Sequence, residues 1–317
     1  MAEKVDRVAG SFRDPSGFLF VRDGTLYRQI NQQYRKNFEH FINSGLFEQL
    51  VRDGFFISHE ECDIEGVDKN AWKIIKPELV PFISYPYEWC FSKLRDAAIT
   101  TLEIQKRALE YGMILKDASA YNIQFLNGKP VCIDTLSLEI YEEGKPWAGY
   151  RQFCQHFLAP LALMVYSDIK LNQLSRIYID GIPLDFTSNL LSLRAKIRPS
   201  IMVHIVLHAR SLMRYSGTET SDRKSKFMNK RTMLALTENL LSAIKKLVWN
   251  SRGTEWAEYY SETNYSSESF KKKGMIVRRM LNSIRPKTVW DVGANAGEFS
   301  AIAAEIAELV VSIDNDP

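Results

Sequence analysis

The sequence predicts a multidomain protein: an α+β region filling most of the chain, then the beginning of an α/β unit. Three observations carry that reading. The first part mixes short alternating strand candidates with helical periodicity, in the order small sheet, helix, more sheet, helix. The stretch SGTETSDRKSKFMNK, residues 216–230, is polar, charged and nearly free of large apolar side chains, as a linker is. The final residues, VWDVGANAGEFSAIAAEIAELVVSIDNDP, run strand, glycine-rich turn, helix, strand, acid.

The totals agree. A chain of 317 residues, 45% of them hydrophobic, can bury a sizeable core, and its length suggests two domains. The net charge of +3 is small, with bases interspersed among acids, and does not call for nucleic acid or anionic lipid. Cys62, Cys90, Cys132 and Cys154 are far apart and form no CxxC pair, so they read as reduced, mostly buried thiols. The start, MAEKVDRVAG, lacks the apolar core of a signal peptide. The greasiest runs, FLAPLALMVY and SIMVHIVLHA, fall short of the roughly 20 residues of a membrane helix. A cytoplasmic protein without a membrane partner is therefore expected.

Along the chain, GFLFVRDGTLYRQ alternates around Asp23-Gly24 and predicts a hairpin. Tyr34, Phe38, Phe41 and Ile42 then recur at helical spacing, Gly45 interrupts, and Leu46, Phe47 and Leu50 continue. AWKIIKPELV and PFISYPYEW are short strand candidates, and a long helix from about Phe91 to Tyr111 is ended by Gly112. NIQFL and VCIDTL flank the Asn127-Gly128 turn, and helical segments dominate to about Tyr215. The expected divisions are 1–215, a linker and helix over 216–253, and the α/β beginning over 254–317.

In VWDVGANAGEFS a strand ending at Asp291 meets Gly293, Asn295 and Gly297 before a helix. Glycine permits a sharp turn and close approach of a ligand to the backbone. Asp314, at the tip of the following strand, stands where hydrogen bonds could hold a ribose diol. A dinucleotide is disfavoured, because G-A-N-A-G puts Asn295 where the G-x-G-x-x-G pattern has its second glycine. The stretch resembles the opening motif, D/E-x-G-x-x-x-G, of class I S-adenosylmethionine-dependent methyltransferases, which have a Rossmann-like fold. The resemblance implies that Asp291 lies near the methionine end of the cofactor, that Gly293, Ala294, Asn295 and Gly297 form the loop beneath it, and that Asp314 takes the ribose hydroxyls. TEWAEYYSETNYSSESFKKK is similar to the lead-in with which such enzymes cover the cofactor. A doubly wound sheet needs further crossover units, so the expectation is a truncated, inactive methyltransferase whose longer parent methylates an unidentified acceptor.

A second constellation lies in ALEYGMILKDASAYNIQFLNGKPVCIDTLSLE, where Asp117, Asn122 and Asp134 are spaced so that one acid can orient a hydroxyl while an amide and an acid hold a metal-bound phosphate. It resembles the catalytic segment of the protein-kinase and aminoglycoside-phosphotransferase superfamily. The resemblance implies a kinase-like domain over roughly 15–215, with Asp117 as catalytic base, Asn122 and Asp134 as metal ligands, and Mg-ATP as cofactor. Lys73 or Arg28, with Glu39 or Glu48, are the candidates for its anchoring ion pair. Leu115 replaces the usual histidine, Thr135-Leu136 follow the second acid, and no glycine-rich phosphate loop appears near Gly17. Phosphotransferase and non-catalytic binding module both remain open.

Other features read as structure. YPYEW is expected to pack. Cys154 and His156 face apart on a helix, His204 and His208 lie in apolar surroundings without an HExxH acid, and Lys271–Lys273 read as solvated surface.

Overall fold

The computed structural model describes residues 5–11, 14–215, 228–250 and 266–316. They form two units, Met1–Val248 and Trp249–Pro317. Both mix helix and strand, and the larger is built on a five-stranded antiparallel sheet. Among the described residues, no helix is long and apolar enough to cross a membrane.

The first unit opens with β1 (Val5–Arg7), β2 (Gly17–Arg22) and β3 (Thr25–Asn31). The β2–β3 turn is the predicted hairpin: Asp23 and Gly24 both take positive φ, 49° and 75°, as a two-residue turn matching strand twist requires. Next come α1 (Arg35–Asn43) and α2 (Leu46–Arg52), separated at Gly45, then β4 (His59–Cys62) and β5 (Ala71–Pro77). The sheet order is β1-β2-β3-β5-β4. Strand alternation sends Ile30 and Ile75 to one face, where they pack with Tyr34, Phe38 and Leu136, while Phe18, Phe20 and Ile74 cluster separately.

PFISYPYEW is not a strand. Pro81 and Pro86 have no N–H for a ladder, and the side chain of Gln124 takes both the N–H and the C=O of Ser84. A single helical turn at Pro86–Glu88 follows, and Trp89 is buried with its indole N–H on Ser84 Oγ at 2.8 Å. The helix predicted after it is α3 (Phe91–Glu110), which buries Leu94, Ala97, Ala98, Leu102, Ala108 and Leu109 and stops before Gly112 at φ 73°.

Two short ribbons follow. Strand β6 (Met113–Leu115) pairs with β9 (Leu138–Ile140), and between them β7 (Ile123–Leu126) pairs with β8 (Lys129–Cys132) through the predicted Asn127-Gly128 turn. The helical part contains α4 (Tyr150–Phe153), α5 (Ala159–Tyr166), α6 (Leu174–Ile177), α7 (Leu184–Leu190), α8 (Leu193–Lys196), α9 (Pro199–Ile201) and α10 (His208–Tyr215), with π-helical turns at Cys154–Leu158 and Met202–Leu207. Residues 216–227 of the predicted linker lie outside the described residues. After them α11 (Lys230–Lys245) packs along α3, joined by an ion pair of 3.0 Å between Lys106 and Glu238.

In the second unit, residues 251–265, with most of the predicted lead-in, lie outside the described residues. Helix α12 (Ser267–Ile284) precedes β10 (Thr288–Val292), α13 (Glu298–Ala304) and β11 (Leu309–Ile313). The strands pair in parallel, with Asp291 opposite Ser312. Helix α13 covers the Asp291 face, while Trp290 and Val292 point to the other face and are exposed.

Candidate functional site

The glycine loop joins the end of β10 to α13, and its backbone is left-handed at three points: Gly293 at φ 79°, Asn295 at φ 47° and Gly297 at φ 81°. The N–H groups of Gly293 and Ala294 both donate to Ile313 C=O, at 2.8 and 3.1 Å, stitching the loop to β11. Asn295 N–H donates to Asp314 Oδ2 at 2.6 Å, Ala296 N–H to Asn295 Oδ1 at 2.7 Å, and Gly297 N–H to Ala294 C=O at 2.8 Å. All five loop N–H groups are thus used internally. A Cβ at Gly293 would meet nothing within 4 Å, and the residue is exposed.

The two acids sit at the carboxyl ends of adjacent parallel strands, on either side of this loop. Asp291 Oδ2 accepts from Ser300 Oγ at 2.6 Å. Asp314 Oδ1 accepts from Asp316 N–H at 2.8 Å, and this bond together with that from Asn295 N–H holds its carboxyl below the usual range. Asp291, Gly293, Ala294, Asn295, Gly297 and Asp314 are therefore brought together. Sequence reading did not single out Ser300 and Ser312. Their signal was polar residues on a stretch expected to be apolar.

The second candidate site lies between the ribbons of the first unit. Lys116 and Asp117 N–H both point to Ser137 C=O, at 2.8 and 3.4 Å, and Ile133 N–H donates to Asn122 C=O at 2.8 Å. These backbone bonds draw Asp117, Asn122 and Asp134 onto neighbouring loops. Asp117 accepts from Ser119 N–H at 2.9 Å, and burial pushes its carboxyl pKa up. Asp134 is ion-paired through Oδ1 with Arg28 and also accepts from Leu136 N–H at 3.3 Å. Lys116 Nζ reaches Ser16 Oγ at 3.0 Å and Asp14 at 3.5 Å. Among the described residues neither basic anchor candidate pairs with Glu39 or Glu48: Arg28 meets Asp134, Lys73 meets Glu61, and Glu39 is taken by Arg35 at 2.8 Å. Asn122 Nδ2 is buried without a hydrogen-bond partner among the described residues.

Arg28 holds one of the two carboxylate oxygens of Asp134, which lowers the negative charge this set would offer a divalent cation. Among the described residues, no three His, Cys, Asp or Glu side chains gather as metal ligands. His204 is hydrogen-bonded on both nitrogens, to Tyr150 Oη at 2.8 Å and Asn239 Oδ1 at 2.7 Å, the structural role expected of it. His156 is buried, which pushes its pKa down to about 4, and Cys132 is pushed up to about 12 by burial.

No protein-family model matches the chain. It is similar to a nodulation protein, NoeA, of Rhizobium meliloti (strain 1021), at 32% identity over 326 residues that cover 100% of this chain and 68% of that protein.

Proposed function

This chain belongs to the family of the nodulation protein NoeA, and we propose that its second unit binds S-adenosylmethionine for methyl transfer to an acceptor. The observation that carries the reading is the placement of two carboxylates, Asp291 and Asp314, at the carboxyl ends of parallel neighbouring strands, around a loop with open space at Gly293. The cofactor supplies an electrophilic methyl group on sulfur. The residues of this chain bind and orient: Asp291 attracts the ammonium of the methionine portion, the loop accepts the ligand without side-chain interference, and the unused lone pairs of Asp314 receive ribose hydroxyls. Asn295 argues against a dinucleotide, since its side chain folds back onto Ala296 N–H where a pyrophosphate would need bare backbone. The nodulation role stated in the relative's name is extended to this chain on family membership alone.

Calorimetric titration of the purified chain tests the reading. S-adenosylmethionine is expected to bind, NAD is not, and Asp291→Ala is expected to weaken binding by about tenfold or more, the scale of one charge-assisted hydrogen bond. Absence of S-adenosylmethionine binding, or equal binding by the variant, overturns it.

A second reading concerns the first unit. The order of its strands and the convergence of Asp117, Asn122 and Asp134 support the kinase-like resemblance, while the Arg28–Asp134 ion pair favours a binding module over metal-dependent phosphoryl transfer. ATP titrated with and without magnesium separates the two. Magnesium-dependent binding would restore the phosphotransferase reading.

A further inference from the structure

We propose that Ser300 is a positioning residue that makes the second unit select ligands carrying an ammonium group, by holding the Asp291 carboxylate through one oxygen and presenting the other. The inference rests on the S-adenosylmethionine reading above and names the residues that set its selectivity.

Ser300 is 8% exposed and lies in α13 above the end of β10. Asp291 and Ser312 are paired across the parallel ladder, so their side chains share the face that α13 covers. The three form a chain: Ser312 Oγ donates to Ser300 Oγ at 2.7 Å, and Ser300 Oγ donates to Asp291 Oδ2 at 2.6 Å. A hydroxyl has one proton to give. Because Ser300 receives the proton of Ser312, its own is directed to the carboxylate, and the chain runs one way. The short Oγ to Oδ2 distance is that of a charge-assisted bond, which fixes the carboxylate plane. Asp291 Oδ1 makes no hydrogen bond among the described residues, so a held and unspent anionic oxygen stands at the carboxyl end of β10. Such an oxygen recognises a cationic N–H donor. Without Ser300 the side chain of Asp291 would rotate, and the ammonium would meet a carboxylate of uncertain direction.

The consequence is a difference between two ligands. S-adenosylmethionine carries the ammonium, whereas 5′-methylthioadenosine keeps the adenosine and the sulfur but has no amino-acid portion. Calorimetry on the full chain measures both affinities for wild type, Ser300→Ala and Ser312→Ala. The wild-type preference for S-adenosylmethionine is expected to fall about tenfold in Ser300→Ala, with 5′-methylthioadenosine binding unchanged, because one oriented charge-assisted hydrogen bond is lost. Ser312→Ala, which only frees the Ser300 proton to rotate, is expected to lower the preference by a smaller factor, and it serves as the test should Ser300→Ala not fold.

An equal loss for both ligands would assign Ser300 to structure alone and overturn the proposal, as would an unchanged preference in both variants. Wild type that binds neither ligand sinks the S-adenosylmethionine reading and this inference with it. Wild type that binds both, with a preference no variant alters, sinks the positioning role only.

Discussion

Gly17→Ala tests how closely the sheet of the first unit is packed where it meets the loop bearing Asp134. Gly17 opens β2, opposite Ile30 of β3. An ideal Cβ on it would lie 2.1 Å from the carbonyl oxygen of Gln29 and 2.9 Å from Leu136 Cδ1. The leucine could rotate away, but a carbonyl committed to the sheet cannot. Restoring ordinary contact requires a shift of roughly 1 Å between two strands whose ladder bonds tolerate only a few tenths. That shift weakens the Gly17–Ile30 pairing and the neighbouring bond from Asn31 N–H to Ser16 C=O, now 2.8 Å. Two weakened backbone bonds at about 1 kcal/mol each, with overpacking of about 1 to 3 kcal/mol, predict a loss of about 3 kcal/mol. Urea unfolding followed by circular dichroism measures it. Gly24→Ala is the internal control: its φ is 75°, no atom lies within 4 Å of a Cβ there, and only the left-handed penalty of about 1 kcal/mol applies. The reasoning is refuted if Gly17→Ala stays within about 0.5 kcal/mol of wild type, or if the control costs as much.

Gly293→Val places a branched side chain on the loop at φ 79°, so S-adenosylmethionine affinity should fall by more than about tenfold in calorimetry, whereas unchanged affinity would remove the loop from the site. Asp134→Asn leaves Arg28 without its anion at side-chain exposures of 11% and 19%, and should destabilise the first unit by about 2 kcal/mol. A double-mutant cycle with Arg28→Gln reads the coupling, and a value near zero would deny the pair a structural role. His156 and His59 are both held down to about 4, chiefly by burial, from an ordinary 6.5. The unfolded chain therefore takes up protons that the native state refuses, and stability present above about pH 6.5 is lost as pH falls towards 4. Urea midpoints across that window should fall less steeply for His156→Gln, and parallel curves would disprove the burial argument.

Local chemistry made much of the fold legible. Asp23-Gly24 and Asn127-Gly128 are dipeptides that suit turns with two positive φ angles, Gly45 and Gly112 punctuate helices, and the apolar spacing of α3 defines its buried stripe. The glycine loop and its two acids were readable because left-handed backbone and a strand tip each leave a residue-type signature. PFISYPYEW misled because apolar alternation cannot show that Gln124, distant in sequence, takes the backbone of Ser84. Strands β1, β4, β6 and β9 are three or four residues long, too short for alternation to register, and exist because neighbours supply their hydrogen bonds.

The partners of the acids were settled by tertiary structure. Sequence spacing fixes where Asp117, Asn122 and Asp134 stand along the chain, but Arg28 comes from a strand of the antiparallel sheet, and its guanidinium on Asp134 changes what that carboxylate can do. In the second unit the order strand, loop, helix, strand follows from residue pattern alone, whereas the proton chain from Ser312 through Ser300 to Asp291 requires a parallel register and a helix laid over it. Periodicity and turn chemistry act between near neighbours and are written in order along the chain. Ion pairing and hydroxyl direction depend on distances of a few ångströms between distant residues, and only folding sets those.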